Sequence, residues 1–342
     1  MYHAHLKGTH YEAGYRWGSL LLKNQHIILE KVPFAITEER LAYAQSCLPI
    51  YQKDYPEILE EIQGIADGQQ CDVRHLQAVL FGMYVLPPSC CCSCFAFSSE
   101  QQVMLGRNSD FLTALEGQNL NVVYRLNEGA YAFTGNTTAF VEMEDGINQH
   151  GLAVGLTAVY PRQPKPGWNA GLLLRYLLER CKTVKEAIHT LHVLPIASSQ
   201  TFTMADCTGE IALVECNAEQ VAVRQGLQQP FVCATNRFYL EEMQQYNLPQ
   251  VDDWFAQTRY QTLYTALKQK GNRVDLLFAK ELLSGNCGFL CQYDRSTGKD
   301  TVWSVVYDLK QRKIYRCEGN PGRRSFRKDK RFHFKKNKTR SV

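Results

Sequence analysis

The chain reads as an α+β protein with a helical beginning, and three observations carry that reading. Helical periodicity with recognisable end signals fills the first ninety residues. At Pro87-Pro88 the pattern switches to short β-rich runs, and helices and strands then return in blocks rather than in strict alternation. Blocks of strands and helices call for packed layers, where an alternating βαβ order would call for a parallel sheet. With 342 residues, 45% of them hydrophobic and 21% charged, the composition is that of a globular protein with one large core.

The elements follow in order. Thr9 and Glu12 form a capping box that opens an amphipathic helix through Tyr15, Trp17, Leu20, Leu21 and Leu22. Pro56 suits the first turn of a second helix, which carries Ile58, Leu59, Ile62 and Ile65 on one side and stops at Gly68. A third helix spans 73–83. Strands are expected over 94–98, 103–106, 121–126, 130–134 and 152–159. Helices follow at 170–181 and, behind the capping box Thr183/Glu186, through His192. Further strands fall at 201–205, 211–216, 221–223 and 232–234, then helices at 254–267 and 274–283. The runs 302–308 and 313–316 make a closing hairpin, and there is no internal repeat.

The net charge of +4 hides an asymmetry. Residues 322–342 hold ten Lys or Arg against the single acid Asp329, a net +9, so the preceding residues sum to −5. This end reads as a disordered, solvated appendage rather than an arm for nucleic acid or anionic membrane. No window is long and apolar enough for a membrane span, and the beginning lacks the apolar stretch of a secretory signal. Thirteen cysteines without such a signal point to mostly free thiols in a reducing compartment, with the cytoplasm as the expected location.

The chemistry concentrates in Cys90-Cys91-Cys92-Ser93-Cys94, followed by Gly106-Arg107-Asn108-Ser109-Asp110. A thiol is mostly protonated at neutral pH, and one way to activate it is a base within the same residue. Were Cys92 the first residue of a chain, its α-amine, with a pKa of roughly 7.7–8, could take the thiol proton. An Asp and an Arg one hairpin away could then hold the amine and the thiolate. Two other readings stay open from the residues alone. The cysteines could be metal ligands with Cys287 and Cys291, although the spacings are not paired knuckles, or they could simply pack as small apolar residues.

The run from Cys92 to Phe111 resembles the nucleophile region of the N-terminal-nucleophile (Ntn) cysteine hydrolases, a group that includes acyl-coenzyme A:isopenicillin N acyltransferases and conjugated bile acid hydrolases. The acyltransferase branch is similar in further blocks, in order: Gly8-Thr9-His10-Tyr11-Glu12-Ala13-Gly14-Tyr15, the helix 55–66, Gly146-Ile147-Asn148-Gln149-His150-Gly151-Leu152, Thr235-Asn236, Arg259 and 302–308. The resemblance implies a four-layer αββα sandwich with a helical N-terminal segment. It divides the chain into 1–91, a segment released from its peptide bond by self-cleavage, a catalytic core 92–321, and the basic tail 322–342. It implies Cys92 as nucleophile, Asp110 as the acid that bonds its amine, Arg107 beside the thiolate, Asn236 as oxyanion donor and Arg259 as an organising residue. Asn108 and Thr157 fall in the substrate environment.

Two departures stand out. Cys91 precedes Cys92 where relatives usually have Gly, at the bond to be cut, and Thr157 replaces an Asn. The activity implied is hydrolysis or transfer at a linear amide C–N bond through a thioester on Cys92, with no metal or organic cofactor. The implied partners are a small N-acyl or acyl-thioester substrate and the chain's own cleaved halves as a heterodimer. A homo-oligomer is left open, and no specific nucleic acid is called for. The alternative is a catalytically silent ligand-binding protein of the same fold.

Overall fold

The structure, a computed structural model, describes residues 1–86, 91–127, 129–161, 164–226 and 229–334. A first strand, β1 (Tyr2–Gly8), leads into four helices: α1 (His10–Lys23), α2 (Glu38–Asp54), α3 (Pro56–Gln69) and α4 (Val73–Gly82). Strands β2 (Cys91–Ser98), β3 (Val103–Leu112), β4 (Leu120–Leu126), β5 (Phe133–Thr137), β6 (Asp145–Asn148) and β7 (Ala153–Val159) follow, then α5 (Ala170–Arg180) and α6 (Val184–Val193). The chain continues through β8 (Ser199–Ala205), β9 (Ile211–Cys216), β10 (Val221–Gln225) and β11 (Phe231–Ala234). It ends with α7 (Ala256–Lys270), α8 (Leu276–Leu283), β12 (Lys299–Asp308), β13 (Lys313–Glu318) and β14 (Arg327–Asp329).

Two sheets form, one in the order β1-β4-β5-β6-β7-β8-β9-β10 and the other β11-β2-β3-β12-β13-β14. Alternation along the strands builds the layers. In β3, Val103 and Leu105 face the other sheet while Met104 packs under α7 and α8; in β12, Val305 and Tyr307 face inward and Val306 outward. Helices from α1 to α6 cover the outer face of the eight-stranded sheet, and α7 and α8 cover the six-stranded one. The result is the four-layer αββα sandwich.

The helical layer owes its closeness to glycine. A Cβ on Gly14 would lie 2.1 Å from the carbonyl oxygen of Glu61, and one on Gly64 would lie 2.3 Å from that of Tyr11. The capping box at Thr9 and Glu12 is formed, and Pro56 opens α3.

The differences from expectation have local causes. β1 was not anticipated because its pairing, parallel to β4, is long-range and only Ala4 and Leu6 are buried along it. Helix α2 carries Pro49 in its interior and buries only Arg40, Ala44, Cys47 and Tyr51, so its apolar stripe is faint. The basic end is corrected in part. Arg327–Asp329 add a strand to β13, Asp329 accepts from both Arg316 and Arg331, and Phe332 is buried between the sheets. Paired backbone and an aromatic anchor therefore hold residues that charge alone would send into solvent. Residues 335–342 of that tail lie outside the described residues.

Candidate active site

Cys92 lies near the start of β2, opposite Ser109 of β3, and is fully buried. Cys94, two residues on, pairs with Arg107. Residues opposed across a ladder share a face, so Cys92, Cys94, Arg107 and Ser109 all look toward the eight-stranded sheet. The Arg107 side chain crosses to Cys92 there, and its Nη2 donates to the Cys92 sulfur at 2.7 Å.

Three acceptors fix that guanidinium. Nε donates to the Leu156 carbonyl at 2.8 Å, Nη1 to Asp145 at 3.0 Å and Nη2 also to Glu144 at 3.1 Å. Burial works against the charge on Arg107, but Cys92, Asp145 and Glu144 outweigh it and hold the group cationic. Both carboxylates are themselves saturated. Glu144 accepts from Ser109 and Thr138, and Asp145 from Asn136, Trp303 and Tyr307. Buried charges persist when paired and hydrogen-bonded in this way. The room for the crossing comes from Gly155 on β7, where a Cβ would stand 2.6 Å from the Cys94 sulfur and 3.3 Å from the Arg107 Cδ.

The other atoms of Cys92 are held from the opposite side. Its N–H donates to Asn236 Oδ1 at 2.9 Å, and its carbonyl accepts from Arg259 Nη1 at 2.5 Å. Arg259, on α7 and fully buried, also donates to Ser93 Oγ, Asn236 Oδ1 and the carbonyls of Asp253 and Trp254. Two donors, Cys92 N–H and Arg259, thus turn the Asn236 oxygen toward the Cys92 backbone. Its Nδ2 donates to the Ala158 carbonyl at 2.8 Å.

Asp110 stands opposite Cys91, on the face of β3 that looks toward α7. Its carboxylate accepts from Thr301 at 2.6 Å and Tyr293 at 2.9 Å and lies 3.6 Å from Arg259. Burial raises its pKa above the ordinary carboxylate range, against the opposing pull of Arg259 and those hydrogen bonds. In the intact chain the Cys92 N–H goes to Asn236 rather than Asp110. Cys91 packs with Trp254 and Tyr293. Burial pushes its thiol pKa well up, and pushes that of Cys94 to about 12.

Five of the expected residues, Cys92, Arg107, Asp110, Asn236 and Arg259, therefore meet around one residue of β2. Two do not. Asn108 takes the alternate face of β3 from Arg107 and donates to the Leu283 carbonyl of α8 at 2.9 Å. Thr157 donates to the Thr235 carbonyl at 2.7 Å, so it props the turn that carries Asn236. Glu144, Asp145 and Ser109 were missed. The signal was a pair of acids heading the Gly146 strand, just before the block that the resemblance picks out. Among the described residues, no group of three His, Cys, Asp or Glu could hold a metal, and the twelve cysteines there are free thiols.

A profile of the acyl-coenzyme A:6-aminopenicillanic acid acyl-transferase family matches residues 97–323, beginning five residues after Cys92. No curated protein sequence matches the chain. Solved structures with a similar course include penicillin V acylase from Agrobacterium tumefaciens, at 19% identity over 66% of this chain and 83% of that one, with a TM-score of 0.47. A Caenorhabditis elegans N-acylethanolamine-hydrolyzing acid amidase ortholog is 20% identical over 64% of this chain and 93% of its own, also at 0.47. A mutant of conjugated bile acid hydrolase from Clostridium perfringens is 15% identical over 66% of this chain and 89% of its own, again at 0.47.

Proposed function

Since the chain belongs to the acyl-coenzyme A:6-aminopenicillanic acid acyl-transferase family, we propose that it is a self-processing cysteine hydrolase or acyltransferase acting on an N-acyl C–N bond, with Cys92 as nucleophile. The observation that carries this reading is the threefold hold on one residue: Arg107 at its sulfur, Asn236 at its nitrogen and Arg259 at its carbonyl oxygen.

The chemistry has two stages. In the first, the Cys92 sulfur attacks the Cys91 carbonyl carbon; the C–S bond forms, the C–N bond breaks, and the thiol proton passes to the departing nitrogen. Water then hydrolyses the thioester, leaving a Cys91 carboxylate and a Cys92 that carries both a free amine and a free thiol. In the second stage that amine takes the thiol proton, and the thiolate, under the Arg107 donor, attacks the substrate carbonyl. Asn236 stabilises the oxyanion, the ammonium returns its proton to the leaving amine, and water or a second amine releases the acyl group. Asp110 and Arg259 keep the new N-terminus in register.

Incubation with a panel of N-acyl amides in the presence of hydroxylamine tests the reading. Acyl hydroxamate formed by wild type and absent with Cys92→Ala supports it. Hydroxamate formed equally by both proteins would overturn the assignment to Cys92.

A further inference from the structure

At one end of the sandwich, between α1, α4 and the ends of β1, β4 and β5, lies a cavity of about 390 Å³. Pockets that enclose a drug-sized ligand run from roughly 300 to 1,000 Å³. The wall is mainly apolar, with Trp17, Ile28, Val79 and Met83 on the side of the N-terminal segment and Phe111 and Leu120 on the side of the core. Lys31, also in the lining, is exposed.

A short relay of hydrogen bonds joins the cavity wall to the candidate site. The ladders pair Tyr2 with Leu120 and Leu120 with Thr137, so the lining residues Tyr2, Leu120 and Thr138 belong to one end of the eight-stranded sheet. Thr138 donates to Glu144 Oε1 at 2.7 Å, and Glu144 Oε2 accepts from Ser109, the cross-strand partner of Cys92, and from Arg107, which donates to the Cys92 sulfur. Phe111 follows Asp110 directly. Leu86, also in the wall, is five residues from Cys91, a reach of at most about 18 Å.

We propose that this cavity receives the acyl part of the substrate as an unbranched aliphatic chain, and that Val79 of α4 and Met83, the residue that follows the helix, set the length accepted. The proposal rests on the reading of Cys92 as nucleophile. Segment 1–91 supplies one wall of the cavity. Each methylene taken from water into an apolar wall is worth about fourfold in kcat/KM.

The test is a series of acetyl, hexanoyl, decanoyl and myristoyl amides of one amine, run on wild type and on Val79→Trp and Met83→Trp. The proposal expects kcat/KM to rise at least tenfold from hexanoyl to decanoyl, and the decanoyl-to-acetyl ratio to fall at least tenfold in either variant. Calorimetric titration of decanoate and hexanoate onto full-length Cys92→Ala gives a readout independent of catalysis and of variant folding; decanoate is expected to bind at least tenfold tighter. Turnover without chain-length preference, or equal binding of the two acids, overturns the cavity assignment and leaves the Cys92 reading standing. Absence of turnover throughout, with decanoate still bound tightly, supports the cavity and counts against the nucleophile.

Discussion

Arg107 and Cys92 are joined sulfur to guanidinium at 2.7 Å, although they are not cross-strand partners: Arg107 pairs with Cys94 and reaches diagonally to Cys92. The side chain can do this because Glu144, Asp145 and the Leu156 carbonyl anchor its other donors. Substitution by Lys keeps the charge but loses the planar fork. Arg107→Lys is expected to lose about 10²–10³ in kcat/KM, the scale of one preorganised donor, and to slow alkylation of Cys92 by iodoacetamide at pH 7. Steady-state kinetics beside a timed alkylation check both.

Asn236 offers a second handle. Its oxygen is the acceptor for Cys92 N–H and for Arg259. Asn236→Ala should slow self-cleavage and cost about 10²–10³ in kcat. Asn236→Asp keeps an acceptor there and should cut more nearly like wild type while still losing turnover, because it has no amide donor. A cleavage time course by denaturing electrophoresis separates the two effects.

Gly155 predicts a coupled pair. A methyl group at this position would overlap the Cys94 sulfur and crowd Arg107, and overpacking of this kind costs about 1–3 kcal/mol. Gly155→Ala should therefore be destabilised in urea and impaired in activity. Adding Cys94→Ala removes the nearer clash and should recover part of both losses, giving an interaction energy of opposite sign in the double-mutant cycle.

Stability should depend on pH through the helical layer. His10 Nε2 donates to the Glu179 carboxylate at 3.2 Å, within a buried group that also holds Arg175, Glu61, Tyr55 and Tyr124. Burial opposes the charge on His10, but the bond to and charge of Glu179 outweigh it and raise its pKa to about 9. For Glu179, burial is likewise outweighed, chiefly by Arg175 and His10, and the pKa falls to about 2. A raised His pKa means that the folded state keeps a proton the unfolded chain releases. His10's contribution is therefore full below pH 6.5 and lost as pH rises through about 9, while that of Glu179 is lost only in acid, as pH falls from 4.5 through about 2. Urea unfolding across the His10 window should show a decline on the order of 1–3 kcal/mol, and His10→Gln should flatten it.

The features legible in the sequence were those written in local signals. The capping box at Thr9, the N-cap at Thr183, Pro56 at a helix start, and the β-rich run 152–159 needed no tertiary context. The gathering of Cys92, Arg107 and Asp110 was legible through resemblance, because they are close along one hairpin. What stayed hidden depends on pairing at a distance. β1 joins β4 across more than a hundred residues, and β14 is held by Phe332 and by Asp329 between two arginines. The anchoring of Arg107 by Glu144 and Asp145 was hidden for the same reason, since two consecutive acids before a glycine look like a turn until the sheet buries them. The face that Asn108 takes was hidden too: a strand sends adjacent side chains to opposite faces, and membership of a motif does not say which face.

The measurement that bears most directly on Cys92 is the intact mass, under denaturing conditions, of purified wild type beside Cys92→Ala. An N-terminal nucleophile predicts two fragments divided between Cys91 and Cys92 in wild type and a single chain in the variant. A single uncut wild-type chain that also fails to take up iodoacetamide at Cys92 would contradict the account and leave a protein that binds ligand without turning it over.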